Sequence, residues 1–226
     1  MQAAVESAKI NSGSHNAGVV VLDAKTGHVV AMANDTTFNP SANLLRQSDF
    51  DMGNPSITSP FEPGSVNKIV TATAAIHYNV AKPTEVFQVP GQIQMDSVTV
   101  RDAWVHGVVP YTMTGIFGKS SNVGTLMIAQ RVGKTRFAEM LRKFGLGHTT
   151  GIELAGESAG VVPALRQWQG GSFANLPIGQ GLSLTLLQMA SMYQTIANDG
   201  LRIPPRIIAS ITKPNGQVVH QDSPAG

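Results

Sequence analysis

A serine followed three residues later by a lysine, Ser65-Val66-Asn67-Lys68, is the pairing in this chain with the clearest chemical content. A serine hydroxyl is a poor nucleophile until a neighbouring group takes its proton, and a neutral lysine amine is one such group. Pro63-Gly64 precedes the serine, and Ala72, Ala74 and Ala75 follow the lysine, so a helix is predicted to open here and run to about Tyr78. Side chains three apart on a helix share a face, which brings Ser65 and Lys68 within reach of each other. The first helical turn also leaves backbone N–H groups without intrahelical partners. The N–H of Ser65 is therefore expected to face an oxyanion forming on an attacked carbonyl. Ser210-Ile-Thr-Lys213 has the same spelling, but it falls on a predicted strand, where residues three apart point to opposite faces.

A second constellation is Ser120-Ser121-Asn122. The Ser120 hydroxyl is suited to relaying a proton to a leaving group, and the Asn122 amide to holding a substrate carbonyl. Ser14-His15-Asn16 and Ser41-Ala42-Asn43 share the pattern but read more simply as turns. Ser120 differs in its setting, the tight turn Gly118-Lys-Ser-Ser-Asn-Val-Gly124 between two predicted helices. A buried Lys68 ammonium beside Lys119 is disfavoured by desolvation and by like charge, so Lys68 is expected to be largely neutral at working pH.

The elements that position these groups follow from periodicity and turn chemistry. A helix end covers residues 3–10, and two apolar strands, 18–23 and 28–33, flank the turn Ala24-Lys-Thr-Gly27. Residues 34–63 are rich in Asn, Ser and Pro and read as a long surface loop. Short strands are predicted over 85–89 and 98–101, and helices over 111–117, 123–131, 135–144 and 184–198. A last hairpin joins 206–212 to 217–220 through Pro214-Asn215-Gly216. One early hairpin, a helical middle and late strands, with no repeat and no linker, predict an α+β chain forming a single domain over 1–226.

Composition narrows the function classes. Hydrophobic residues make up 42% of the 226 and charged residues 13%, enough apolar material for a core and too little charge for a coiled coil. The net charge of +2 comes from scattered basic residues, so a nucleic-acid partner is not expected. There are no cysteines, which removes thiolate chemistry and disulfides. The histidines lack His-x-x-x-His spacing, so no metal and no cofactor is expected. No stretch approaches the roughly 20 apolar residues of a membrane span, and Met1-Gln2-Ala3 does not begin a signal peptide. Gly133-Lys134-Thr135 lacks the first glycine of a phosphate-binding loop, since Ile128 stands there. Trp104 and Trp168 are candidates for either a cleft wall or the core.

Phe61-Glu-Pro-Gly-Ser65-Val-Asn-Lys68, Lys119-Ser-Ser-Asn-Val-Gly124, Ile178-Gly-Gln-Gly-Leu182 and Asp23-Ala-Lys-Thr-Gly-His-Val-Val-Ala-Met32 occur in one order. Together they resemble the class B penicillin-binding proteins, the cell-wall D,D-transpeptidases, from about Gly18 to Val219. Ser-x-x-Lys, Ser-x-Asn and Lys-Thr-Gly are the motif set of that superfamily. The resemblance implies a penicillin-recognising serine transferase fold, β-lactamase- or transpeptidase-like, with an antiparallel sheet and a helical subdomain. It implies catalytic roles for Ser65, Lys68, Ser120 and Asn122, with Ser120 and Asn122 also binding substrate. The implied partners are a peptidoglycan stem peptide ending in D-Ala-D-Ala, β-lactam antibiotics, and other cell-wall synthesis or division proteins. The implied location is the extracytoplasmic face of the bacterial plasma membrane, in a membrane-anchored parent.

The resemblance also places a Lys-Thr-Gly strand after Ser-x-Asn. The literal Lys25-Thr26-Gly27 precedes Ser65 and sits in a hairpin turn, so the strand is expected beyond Val219. On that reading the domain is incomplete at its C-terminus and the chain alone has little activity. Two alternatives remain at this level. One is a non-catalytic fragment or scaffold of such a protein. The other is a D,D-carboxypeptidase or a β-lactamase, and against the β-lactamase stands the absence of any glutamate followed four residues later by asparagine.

Overall fold

The computed structural model describes residues 1–35, 53–168 and 171–221. Helix α1 (Gln2–Ser12) leads to the antiparallel pair β1 (Gly18–Leu22) and β2 (Val29–Asn34). A four-residue helix α2 (Pro55–Thr58) follows, and a 3₁₀ turn (Gly64–Asn67) runs directly into α3 (Lys68–His77). Next come β3 (Val86–Val89), β4 (Gln92–Met95), β5 (Val98–Arg101) and β6 (Val109–Thr112). Helices α4 (Met113–Gly118), α5 (Asn122–Val132), α6 (Lys134–Lys143), α7 (Ser172–Asn175) and α8 (Leu186–Ala197) precede the last pair, β7 (Ser210–Thr212) and β8 (Val218–Gln221). Antiparallel pairing takes the form of the ladders β1–β2, β3–β6, β4–β5 and β7–β8.

The chain divides into two compact units, one of Met1–Pro60, His148–Ala159 and Thr185–Gly226, the other of Phe61–Gly147 and Gly160–Leu184. In the first, Ile57, Ile152 and Leu187 are buried together, with Val20, Leu22, Val29, Met32 and Leu154 packed against them. Helix α8 starts on a reciprocal cap, Thr185 accepting from the Gln188 N–H while Gln188 accepts from the Thr185 N–H. The β1–β2 turn is closed by Asp23, whose Oδ1 accepts from the N–H groups of Thr26 (2.8 Å) and Lys25 (3.0 Å). Those bonds, the Thr26 N–H first, hold its carboxyl below the usual carboxylate range. Gly27 has φ +73°, and a Cβ there would meet the Pro204 carbonyl at 2.7 Å, so turn geometry accounts for Lys25-Thr26-Gly27. Of the predicted 34–63 loop, residues 36–52, with Ser41-Ala42-Asn43, lie outside the described residues.

The second unit holds every candidate site residue. Its strand β3 alternates, burying Phe87 and Val89 while Val86 and Gln88 face out. Helix α3 buries Val70, Thr71, Ala74 and Ala75 and packs on α5 and α6. Gly124 lets α5 approach α4, since a Cβ there would sit 2.7 Å from the Ile116 side chain. Helix α4 begins at Met113 and not near Tyr111, because Thr112 accepts from the Gly115 N–H (2.9 Å) and β6 occupies the preceding residues. Trp168 proves to be core: it is 4% exposed, stacks on Phe173 with centroids 5.8 Å apart, and donates to the Pro163 carbonyl (2.9 Å). Phe137 completes that cluster, 5.7 Å from Phe173 and fully buried. Phe137→Ala should lower stability by about 3–5 kcal/mol in urea unfolding followed by tryptophan fluorescence. A loss under about 1 kcal/mol would show that the cluster does not bear on the fold.

Candidate active site

Pro63-Gly64 turns the chain sharply, with Gly64 at φ +53°, and Ser65 then sits inside the 3₁₀ turn. The expectation of a continuous α-helix from Ser65 is corrected here: Lys68 is the first α-helical residue. The tighter turn serves the pairing better, because side chains three apart are nearly eclipsed at three residues per turn. Ser65 is exposed and Lys68 is buried, at 4% exposure. No partner for the Ser65 N–H is found among the described residues.

This start is clamped from residues 176–181. The Gly64 N–H donates to the Gly179 carbonyl (3.0 Å), and a Cβ on Gly179 would lie 1.9 Å from the Gly64 oxygen. With φ +83° as well, only glycine fits at 179. Asn67 donates to the Leu176 carbonyl (2.9 Å) from a fully buried position. Glu62 Oε1 accepts from the Gly181 N–H (2.8 Å).

Opposite Lys68 stands the end of α4. The Ser121 N–H bonds back to the Ile116 carbonyl (2.9 Å) and the Ser120 N–H to Phe117 (3.0 Å), the pattern of a left-handed helix stop. The left-handed residue in such a stop is usually glycine, yet here it is Ser120, at φ +56°. That conformation costs a non-glycine residue roughly 1–2 kcal/mol. It turns both the carbonyl and the hydroxyl of Ser120 toward the lysine. Lys68 Nζ donates to the Ser120 carbonyl (2.6 Å) and to Ser120 Oγ (3.0 Å), and Ser120 Oγ donates to Ser65 Oγ (3.0 Å). The expected direct contact between Lys68 and Ser65 is thus replaced by a line through Ser120. Asn122 begins α5 and gives its Nδ2 to the Arg101 carbonyl (3.0 Å). Ser210 lies on an exposed strand, β7, in the first unit.

Burial lowers the Lys68 pKa to about 8 from an ordinary value of 10.5, and a nearby Asp102 charge partly opposes the shift. The direction matches expectation, but the cause does not. The charge that acts on Lys68 is negative and belongs to Asp102, where a repulsive Lys119 was expected. At pH 7 a lysine of that pKa is neutral in about one molecule in ten, so the neutral form is a minority and not the larger share expected. Because the folded state holds the proton less tightly than the unfolded chain, this group costs stability below pH 8, and the cost fades as pH rises from about 8 toward 10.5.

Asp102 itself gave no sequence signal as a site residue. Its side chain is wholly buried and accepts from Ser121 Oγ (2.7 Å), the Val123 N–H (3.0 Å) and His106 Nε2 (3.1 Å). No cluster of His, Cys, Asp and Glu among the described residues has the arrangement of a metal site.

A family model described as the penicillin binding protein transpeptidase domain matches residues 17–225. Penicillin-binding protein PbpB of Mycolicibacterium smegmatis is 65% identical over 226 residues, covering 100% of this chain and 35% of that protein. The peptidoglycan D,D-transpeptidase FtsI of Escherichia coli is 35% identical over 206 residues, covering 91% of this chain and 33% of that protein. The crystal structure of penicillin binding protein 3 from Mycobacterium tuberculosis superposes with a TM-score of 0.95 at 63% identity, covering 99% of this chain and 50% of that one. Its complexes with aztreonam and with ampicillin superpose equally well, with a TM-score of 0.95. The chain thus spans about a third of the length of the curated relatives it matches, 35% and 33%.

The strained serine yields a test. Ser120→Gly and Ser120→Ala both delete the hydroxyl between Lys68 and Ser65, but only glycine relieves the left-handed backbone. Ser120→Gly should be more stable than Ser120→Ala by about 1 kcal/mol. Equal melting temperatures for the two variants would contradict the strain.

Proposed function

The chain belongs to the penicillin binding protein transpeptidase domain family, and from that premise we propose that it carries the acyl-transfer centre of a peptidoglycan D,D-transpeptidase. The observation behind this reading is the exposed Ser65 hydroxyl at the end of a hydrogen-bonded line through Ser120 to a buried lysine. When Lys68 is neutral, Ser65 passes its proton to Ser120 as Ser120 passes its own to Lys68 Nζ. Ser65 Oγ bonds to the carbonyl carbon of the terminal amide in a stem peptide ending in D-Ala-D-Ala. The free Ser65 N–H stabilises the oxyanion that results. The carbon–nitrogen bond then breaks, and Lys68 returns the proton through Ser120 to the departing D-Ala amine. An amine of a second stem peptide attacks the ester, loses a proton along the same line and restores the Ser65 hydroxyl.

Asn122 keeps one N–H and its carbonyl for the substrate backbone after bonding Arg101. A β-lactam enters by the same attack, with a strained ring amide in place of the peptide. The relative solved with ampicillin and with aztreonam, at 63% identity, supports extending β-lactam binding to this chain. The family match over 17–225 supports treating both compact units as parts of one transpeptidase domain. The same reading puts the site at the extracytoplasmic face of the plasma membrane, where stem peptides lie, with other cell-wall synthesis or division proteins as partners. Within the described residues no helix is long and apolar enough to cross a membrane.

The test is adduct mapping. The full-length protein carrying this chain is treated with a fluorescent penicillin, digested, and the labelled peptide sequenced by mass spectrometry. The expected label is an ester on Ser65, absent from Ser65→Ala. A label on Ser120 or Ser210, or none in the folded protein, would overturn the assignment.

A further inference from the structure

The hydroxyl of Ser120 is useful only while it stays between Ser65 and Lys68, and Ser120 sits in a backbone conformation that serine does not favour. Something must hold it there. On its N-terminal side the helix stop of α4 does so through the Ser120 and Ser121 N–H groups. On its C-terminal side the hold comes from another part of the chain. Ser121 caps α5 by accepting from the Gly124 N–H (2.9 Å), and its own hydroxyl hydrogen goes to Asp102 Oδ2 (2.7 Å). The other carboxylate oxygen of Asp102 takes the Val123 N–H (3.0 Å), while the preceding Arg101 carbonyl takes Asn122 Nδ2 (3.0 Å). Residues 121, 122 and 123 are therefore each bonded to Arg101 or Asp102 at the end of β5.

We propose that Asp102 is the positioning residue of this centre: its buried carboxylate pins the start of α5 and keeps the Ser120 hydroxyl between Ser65 and Lys68. The proposal rests on the acyl-transfer reading above and adds a residue that touches neither substrate nor nucleophile. A carboxylate fits this place better than an amide. Ser121 Oγ, the Val123 N–H and His106 Nε2 all present donors, and a carboxylate answers them with two acceptor oxygens. An asparagine would turn an NH₂ toward one donor and lose that bond. The negative charge also favours the protonated lysine, the direction in which Asp102 acts on Lys68. The titratable group bonded to Asp102 is His106, and Asp102 is the charge that acts on Lys68.

The test compares Asp102→Asn with Ser121→Ala in the full-length protein, reading the second-order rate of acylation by a chromogenic cephalosporin between pH 5.5 and pH 9.5. Wild-type acylation at Ser65 tests the function itself, so failure there is distinct from failure of this inference. With Asp102→Asn the rate should fall roughly tenfold to a hundredfold, as for a misplacement of about 1 Å in a catalytic group. Loss of the negative charge also removes what favours the lysine's proton, so the acid limb of the profile should move to lower pH. Ser121→Ala removes the link and keeps the charge, so its rate should fall while the limb stays in place. An Asp102→Asn protein that is acylated at the wild-type rate, or whose acid limb stays where the wild-type limb lies, overturns the proposal. Circular dichroism at each pH separates either result from unfolding, and should Asp102→Asn fail to fold, Ser121→Ala at the wild-type rate overturns the positioning role by itself.

Discussion

A lysine amine that is almost shut off from water must place its hydrogens on oxygens nearby, and in this chain both oxygens come from Ser120. Burying an ammonium without such partners costs far more than a folded protein can tolerate, and one outcome is a lowered affinity for the proton. Lys68 shows both responses. Its hydrogens go to the carbonyl and hydroxyl of Ser120, and its pKa falls to about 8. To present both oxygens at once, Ser120 takes a left-handed conformation that a glycine would adopt freely. The strain at residue 120 and the exposed hydroxyl at residue 65 are two ends of one arrangement.

The nucleophile end is held with equal care. Ser65 stands on a 3₁₀ turn one residue after a left-handed glycine, and the turn is bonded back to Gly179 with no space for a side chain there. Asn67 reaches Leu176 from the same turn, so the start of α3 is anchored by backbone and side chain together. The exposed hydroxyl thus rises from a rigid base. Between them, the 176–181 segment and the Arg101-Asp102 pair grip the two motifs that carry Ser65 and Ser120.

What the amino-acid sequence revealed follows from how local each interaction is. Ser65 and Lys68 are three residues apart, so their spacing alone brings them to one side of a turn, although the link between them runs through Ser120. Ser120 was legible as a turn residue between two helices, and its turn is closed by bonds no more than five residues long. Asp102 was invisible because its bonds to Ser121 and Val123 cross about twenty positions, and an isolated aspartate normally reads as surface. The bridging role of Ser120 was missed for the same reason, since the bond from Lys68 to Ser120 spans 52 positions. Lys119 was given an influence that belongs to Asp102, because adjacency in sequence stood in for proximity in space. Strand β4 went unread because Gln92-Ile-Gln-Met95 has weak strand propensity and is set by its partner β5, while Pro110 disguised β6.

Lys68 holds its proton loosely because it is buried, and the amine can be watched directly. Nitrogen-15 labelling of lysine side chains, with Lys68 assigned by its loss in Lys68→Arg, gives a titration curve for Nζ in the folded protein. The midpoint should lie near 8, within about one unit, and should move down when Asp102 is changed to asparagine. A midpoint above 10, in the ordinary lysine range, would leave too little neutral amine to take the Ser65 proton and would contradict the mechanism at its base.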